Sequence, residues 1–146
     1  MTMQVPSSSL KLKVQTTDDV KLLSAYLQDA LVSTQAMRHD ADEHGFSLFV
    51  NRFQWEVPPL EHEEGVVHGR THTGVHFSHV SRVRHRHLPQ GKEGHFLNLL
   101  TCHADAPGEI HLVFSGGCEI CLHVDHILCH LMDMGEPWYT PHAPRH

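Results

Sequence analysis

One segment of the sequence, residues 109 to 124, constrains the fold more than any other. Apolar and polar side chains alternate on both sides of a glycine pair, with apolar residues at Ile110, Leu112, Phe114, Ile120, Leu122 and Val124. A period of two is typical of a strand that buries one face, and Gly116-Gly117 favours a two-residue hairpin turn. The segment therefore predicts an antiparallel hairpin in a β-rich chain.

Similar patterns predict strands at residues 10–14, 33–38, 46–56, 74–88 and 95–103. The strand at 46–56 is apolar on both faces, which is usual for a strand that is central or covered by a helix. We expect both Trp55 in this strand and Leu27 upstream of it to lie in the core. Within 74–88 the apolar phase shifts between Phe77 and Val80, which indicates a bulge.

Two helices are also predicted. Apolar residues at helical spacing, with Thr17 or Asp18 as the N-cap, indicate a helix from about Asp18 to Leu31. A short C-terminal helix is predicted between Asp125, as its cap, and Gly135, which would end it. The expected fold class is α+β: a mostly antiparallel sheet, or a small partly open barrel, of about six to seven strands with these two helices.

The chain of 146 residues has the length of one domain. We expect a single domain over residues 1–146, with loose tails at 1–9 and 139–146. Residues 57–73 carry no consistent periodicity and are predicted to form a long loop.

Composition limits the classes of function. The formal charge of -6 gives no general attraction to nucleic acid or anionic lipid, so neither is an expected partner. No signal peptide or membrane span is visible, and we expect a cytoplasmic protein whose four cysteines are reduced thiols. The composition is rich in histidine, with 17 residues, but they form no repeat, and a role as a pH sensor stays open.

The stretch "CEICLHVDHILCH", residues 118–130, resembles a zinc motif in composition. On a strand, however, Cys118 and Cys121 point to opposite faces and cannot share one ion. We therefore expect no metal and no cofactor, and we expect Cys118 and Cys129 to be small buried residues. If a metal does bind, Cys121, His123 and His126 are the candidate ligands.

Two other groups are candidate ligand-binding residues. Arg82, Arg84 and Arg86 alternate along a strand and would line one face, where guanidinium groups suit phosphates or carboxylates. Asp29 and Arg52 would form a partly buried pair if the first helix packs on the strand at 46–56. With Glu56 they are the first candidates for catalysis, although no catalytic motif is present.

Four stretches together resemble a known family: "SAYLQDA" at 24–30, "NRFQWE" at 51–56, "LNLL" at 97–100 and "GEPW" at 135–138. In this order and spacing they resemble domain-of-unknown-function family 2948, small proteins of alphaproteobacteria, over residues 10 to 138. The resemblance implies a cytoplasmic bacterial protein. It implies no activity, substrate or site residues, and the cysteine-histidine stretch is not part of the family pattern.

These observations favour a small non-catalytic module that binds a partner protein or a small anionic ligand. The first alternative is an enzyme of unknown reaction with a polar cleft near Arg52. The second is a protein that binds a metal through cysteine and histidine. A deep polar cleft would favour the enzyme, and an exposed apolar patch would favour partner binding.

Overall fold

The structure is a computed structural model, and it describes residues 9–90 and 94–144. Within these ranges the chain forms ten strands and one α-helix. In chain order the elements are β1 (Lys11–Val14), α1 (Thr17–Leu27), β2 (Ala30–Asp40), β3 (Gly45–Phe53), β4 (Leu60–His62), β5 (Gly65–Phe77), β6 (Val80–Arg86), β7 (Phe96–His103), β8 (Glu109–Phe114), β9 (Glu119–Val124) and β10 (Cys129–Thr140).

All ten strands belong to one antiparallel sheet that does not close into a barrel. The strand order is β1-β10-β5-β3-β2-β7-β8-β9-β6, and β4 pairs with β5 at the side of this path. The predicted fold class is therefore wrong: the sheet has ten strands rather than six or seven, and one helix accompanies it rather than two. The strand predicted at residues 46–56 is β3, which ends at Phe53 and lies between β5 and β2, so of the two positions predicted for it, central or covered by a helix, the central one is observed.

The predicted C-terminal helix is replaced by the long strand β10. Cys129, Leu131 and Asp133 are buried while the residues between them are exposed, which is the period of a strand. The pattern was missed because the third buried position holds a carboxylate instead of an apolar side chain. A register shift between Met134 and Trp138 then separates two paired halves of the strand.

Other boundaries also differ from the predictions. The predicted tail at 139–146 begins inside β10, where Tyr139 and Thr140 pair with β5, and the predicted tail at 1–9 lies outside the described residues except for its last residue. Residues 57–73, predicted to be a loop, contain β4 and the first part of β5. The predicted bulge near residue 78 is a break between two strands, because β5 ends at Phe77 and β6 begins at Val80. His79 between them has a positive φ of 58°, which turns the chain out of β5.

Helix α1 is shorter than predicted and has a different cap. The Thr16 side chain accepts a hydrogen bond from the Asp19 amide, and the Asp19 carboxylate accepts one from the Thr16 amide, which forms a capping box. The helix ends at Leu27, and Asp29 follows with a φ of 61°. Leu31, predicted to lie on the helix, is therefore an exposed residue of β2. Among the described residues no helix is long and apolar enough to cross a membrane.

One hydrophobic cluster fills the inner face of the sheet. It includes Val14 of β1 and Val80 of β6, which are the two ends of the strand order, together with Leu27 of α1. Because residues from both ends share one cluster, the sheet bends around it. Leu27 is buried, as predicted. The prediction for Trp55 is wrong: this side chain is 38 % exposed and its Nε1 donates to the Gln28 carbonyl at 2.9 Å.

The predicted hairpin is present as β8 and β9, but its loop has three residues, Ser115 to Gly117. Gly116 and Gly117 both have a φ of 74°, in the region that favours glycine. A two-residue loop would place His111 opposite Leu122, so an outward residue would face an inward one. The observed register pairs His111 with Cys121, which keeps polar side chains on one face of both strands.

Candidate functional site

A buried ionic network lies where β3, β5 and β10 meet. Arg52 is 0 % exposed, and its Nε and Nη2 donate to Asp133 Oδ1 and Oδ2 at 3.1 and 2.8 Å. Its Nη1 donates to Glu56 Oε2 at 2.9 Å and to the Phe53 carbonyl at 3.3 Å. Thr73 Oγ1 also donates to Asp133, at 2.7 Å. The network therefore ties three neighbouring strands together.

The network holds one guanidinium and two carboxylates, so its formal charge is -1. Burial acts to lower the pKa of the Arg52 guanidinium, but its hydrogen bonds to Glu56 and Asp133 leave that pKa above its ordinary value. Asp133 also accepts from the Leu10 amide at 3.0 Å. The predicted pair of Asp29 with Arg52 is wrong, because the guanidinium donors are directed to Asp133, Glu56 and the Phe53 carbonyl. Glu56, named from the sequence as a candidate site residue, does contact Arg52.

Asp29 lies instead in a shallow cleft on the outer side of the sheet. The cleft has a volume of about 270 Å³ and is lined by Asp29, Leu31, Arg70, Asn98, His142, Ala143 and Pro144. Asp29 follows α1 and its amide donates to the Leu99 carbonyl at 2.8 Å, which anchors it to β7. Its positive φ of 61° is uncommon outside glycine, and such conformations are concentrated at functional sites.

Arg70 is the cation of this cleft. Its Nε and Nη2 donate to the Asn51 side chain and carbonyl at 2.6 and 3.1 Å, which holds the guanidinium in place. Its Cζ lies 5.9 Å from the centre of the Phe53 ring. Burial lowers the pKa of Arg70, and the nearby Asp29 carboxylate opposes that shift. The cleft therefore presents a guanidinium, a carboxylate and the carboxamide of Asn98.

A second polar cluster covers the outer face of the strands from β7 to β6. In the sheet register His103 lies opposite His111, His111 opposite Cys121, and Cys121 opposite Arg84. Glu109 and His123 form the neighbouring row. A cavity of about 280 Å³ lies against this cluster, and its lining includes Arg84, His85, Arg86, His111, Glu119 and Cys121.

His111 lies between two carboxylates. Its Nδ1 is 2.6 Å from Glu119 Oε1 and its Nε2 is 3.2 Å from Glu109 Oε2. The hydrogen bond from His111 lowers the pKa of Glu119. One ligand atom each from Glu109, His111 and Cys121 lie within 4.8 Å of one another. This cluster thus brings together three residue types that commonly ligate zinc.

The predicted arginine ridge has partners on β8 and β9. Arg82, Arg84 and Arg86 lie opposite His123, Cys121 and Glu119. Arg84 Nε donates to His123 Nε2 at 3.0 Å, and Arg86 pairs with Glu119 at 2.8 Å. Carboxylates and histidines of the protein therefore already occupy donors that the sequence assigned to an outside anion.

The four cysteines are free thiols. Cys118 lies in the hydrophobic cluster with Ile120, whereas Cys121 lies on the opposite face, which confirms the predicted separation of these two thiols. Cys118 and Cys129 are buried, as predicted. His126 packs against His79 with ring centres 3.9 Å apart. His126 is therefore separate from the group formed by Glu109, His111 and Cys121.

Two apolar features complete the outer surface. A cavity of about 520 Å³ borders the β4–β5 hairpin, and its lining includes Leu60, Val66 and Tyr139.

The second feature lies on the outer face of β3, β5 and β10. Phe49 and Met132 flank Gly74 in the register, and Met134 follows Met132 two residues later. All three side chains are more than 40 % exposed. The second feature is an exposed apolar patch of the kind that the sequence hypothesis of partner binding requires.

Sequence reasoning missed Arg70, Asn98, Glu109 and His111. Arg70 and Asn98 gave no local signal, because only strand pairing brings them near Asp29. Glu109 and His111 did carry a signal. The alternation on both arms of the hairpin already required an odd number of loop residues, and that register places His111 opposite Cys121.

Comparison with known proteins gives a match at the family level. A family model described as "Protein of unknown function (DUF2948)" matches residues 10–146. Neither the curated proteins nor the solved structures contain a match.

Proposed function

The chain belongs to the DUF2948 family, as its sequence resemblance predicted, and we propose that it is a non-catalytic module that binds a small anionic ligand at the cleft of Asp29, Arg70 and Asn98. The family description names no activity. The observation that carries the proposal is that β5, β7 and the turn before β2 bring a guanidinium, a carboxylate and a carboxamide to one cleft.

The size and charge of the cleft define the ligand class. A volume of about 270 Å³ is slightly below the roughly 300–1,000 Å³ of typical small-molecule sites, so the ligand has few non-hydrogen atoms. Arg70 suits a carboxylate through Nη1 and the second hydrogen of Nη2, which remain after its bonds to Asn51 and can form paired hydrogen bonds. Asp29 suits an ammonium or hydroxyl donor. A small carboxylate that also carries a hydroxyl or ammonium group combines these features: lactate is the anionic example, and glycine offers the same carboxylate beside an ammonium.

The positions of the four resemblance stretches support this choice. Asp29, Asn51 and Asn98 come from three of them, and each either lines the cleft or holds Arg70. Trp138, from the fourth, lies opposite Arg70 in the sheet register. Stretches that are distant in the chain therefore surround one guanidinium.

The enzyme alternative gains no support from the surroundings of Arg52. The side chain is fully buried and its donors bind Asp133, Glu56 and the Phe53 carbonyl. A substrate would have to displace a buried ion pair, which costs several kcal/mol when one partner is left uncompensated. A structural role accounts for the burial and the hydrogen bonds of this residue.

The proposal is tested by titrating isotope-labelled protein with glycine, lactate and acetate and following backbone amide shifts by NMR. We expect glycine or lactate to shift the amides of Leu31, Asn98 and Arg70, with acetate weaker because it lacks the group that faces Asp29. We expect Arg70→Gln to weaken binding at least tenfold, which corresponds to about 1.4 kcal/mol of binding free energy.

Two controls separate this site from the arginine ridge. Arg38→Gln removes one charge from an exposed position of β2 and should leave binding unchanged. Arg84→Gln tests the ridge itself. Loss of binding in the Arg84 variant with retention in the Arg70 variant would place the ligand on the ridge and contradict the proposal. Absence of any shift at millimolar ligand would also contradict it.

A second candidate function is binding of a partner protein on the patch of Phe49, Met132 and Met134. Lys11 and Lys13 of β1 lie opposite Met132 and His130, so the apolar patch has a basic edge. The complementary partner is a protein segment with apolar side chains flanked by carboxylates.

This candidate is tested on a partner identified from native lysate and then titrated in pure form. Phe49→Ser and Lys11→Glu should each weaken its binding at least tenfold. Leu100→Ser is the matched control, because Leu100 is also exposed but lies on β7. Equal affinity of all three variants would exclude the patch as the binding surface.

A further inference from the structure

The outer face of the β8–β9 hairpin places a carboxylate, an imidazole and a thiol within reach of one ion. Glu109 and His111 are two residues apart on β8, so both side chains point outward. Cys121 lies directly opposite His111 on β9. The three ligand atoms are within 4.8 Å of one another on two paired strands.

The orientation of His111 is the second observation. Glu119 Oε1 lies 2.6 Å from Nδ1, which is the contact of a carboxylate that accepts the Nδ1–H proton. In the neutral ring this leaves the Nε2 lone pair directed at Glu109, where two acceptors would face each other at 3.2 Å. A cation placed between these two acceptors would bind both. A carboxylate behind a ligating histidine is the usual arrangement in zinc sites.

We propose that Glu109, His111 and Cys121 bind a divalent cation of the zinc class, with Glu119 as the residue that orients His111. Zinc accepts all three donor types, whereas calcium and magnesium select oxygen ligands only. Three protein ligands leave a fourth position, which faces the cavity lined by Arg84 and Arg86 and takes water.

Bond lengths show how far the ligands must move. Zinc lies about 2.3 Å from sulfur and about 2.0–2.2 Å from nitrogen or oxygen, so tetrahedral ligand atoms are separated by roughly 3.3–3.8 Å. His111 Nε2 and Glu109 Oε2 are already at 3.2 Å. The widest separation is at most 4.8 Å, so metal binding requires the ligand atoms to approach by about 1 Å.

Charge is consistent with a dication at this place. Glu109, Glu119 and a Cys121 thiolate together carry three negative charges, and two guanidinium groups, Arg84 and Arg86, lie beside them. A divalent cation brings the local sum to about +1, and a bound hydroxide or anion at the fourth position would neutralise it.

The neighbouring histidines are poorer ligands than His111. His123 Nε2 accepts from Arg84 Nε at 3.0 Å, so its lone pair is already used. His126 lies against His79. The set inferred from the sequence, Cys121, His123 and His126, therefore keeps only its cysteine.

The test uses the purified full chain, freed of metal by chelator and titrated with Co²⁺ alone. We expect one cobalt per chain, a thiolate-to-cobalt charge-transfer band in the near ultraviolet, and the intense visible bands of tetrahedral Co²⁺. Zinc should displace the cobalt stoichiometrically. Weak binding by scattered histidines would give neither the thiolate band nor a defined stoichiometry.

Variants identify the ligands. Cys121→Ser should abolish the charge-transfer band, and His111→Gln should weaken metal binding at least tenfold. Cys118→Ala is the matched control, a thiol at the start of β9 that lies in the core cluster, and His126→Gln controls for the alternative set; both should retain the site. A band that survives in Cys121→Ser or disappears in Cys118→Ala would overturn the proposal.

A measurement on the unaltered chain covers the case in which a variant does not fold. One equivalent of zinc should slow alkylation of Cys121 at least tenfold, read by mass spectrometry of the peptide that contains it. Calcium at the same concentration should give no protection. An unchanged alkylation rate of Cys121 with zinc present would overturn the proposal without any substitution.

Discussion

Arg52 and Asp133 are 81 positions apart in the chain and form a two-point ion pair in its interior, with Nε to Oδ1 at 3.1 Å and Nη2 to Oδ2 at 2.8 Å. Arg52 belongs to β3 and Asp133 to β10, and Thr73 of β5 completes the contact between them. The pair therefore fixes the register of three neighbouring strands. A shift of β10 by one residue would point Asp133 outward and leave a buried guanidinium without its main partner.

Breaking this pair should destabilise the fold strongly. Arg52→Ala leaves the Asp133 and Glu56 carboxylates without their cation, at a cost of about 3–5 kcal/mol in a buried site. Asp133→Ala removes the two-point acceptor while Glu56 still pairs with Arg52, so it should cost less. The double variant should lose less than the sum, and denaturant unfolding measures this coupling. Asp29→Ala combined with Arg52→Ala serves as the control, and its two effects should add. Additive losses for Arg52 and Asp133 would be inconsistent with the pair.

Leu27 and Trp55 should differ in their contribution to stability. Leu27 is fully buried in the core cluster, so Leu27→Ala should lower the free energy of unfolding by about 2–5 kcal/mol. Trp55 is partly exposed, contacts Phe53 and makes one hydrogen bond. Trp55→Ala should lower it by about 1–2 kcal/mol. Equal losses of unfolding free energy in urea melts of the two variants would contradict the partly exposed position of Trp55.

The capping carboxylate of Asp19 should make stability depend on pH in acid. Hydrogen bonds from the Gln15 amide and from Thr16 hold its pKa below the unfolded value of 3.8. A lowered carboxyl pKa contributes stability above the unfolded pKa, and this contribution disappears as the pH falls through the folded pKa. The free energy of unfolding of Asp19→Asn should therefore lie below that of the wild type at pH 7, and the difference between the two should shrink below pH 3.8. Unfolding measured from pH 7 to pH 3 tests this, with Asp18→Asn as the control that lacks the capping contacts.

The thiols should differ widely in reactivity. Burial raises the pKa of Cys102 to about 12, and that of Cys129 is also far above its ordinary value. Because the thiolate is the reactive form, both should react with maleimide at pH 8 at least about a hundredfold more slowly in the native chain than after unfolding. Cys121 on the outer face should be modified first. A time course read by peptide mass spectrometry measures the order, and rapid labelling of Cys102 would argue against its place in the core.

The sequence by itself determined the local elements wherever the apolar pattern was clean. Alternation around Gly116 and Gly117 predicted β8 and β9, and the stripe of Val20, Leu23 and Leu27 predicted α1, because burial on one side follows the geometry of the backbone. It also separated Cys118 from Cys121, since the period of a strand depends on nothing outside the strand.

Tertiary structure alone decided which residues Arg52 and Asp29 contact. Asp133 occupies a buried position of β10 because the Arg52 side chain of β3 pairs with it. A carboxylate therefore stands where the alternation of a strand would place an apolar residue, and the segment was predicted to be a helix. Arg70 and Asn98 meet Asp29 only through the strand order, which no local pattern encodes. In each case the deciding interaction joins residues far apart in the chain, and its energy becomes available only after the sheet has closed the distance between them.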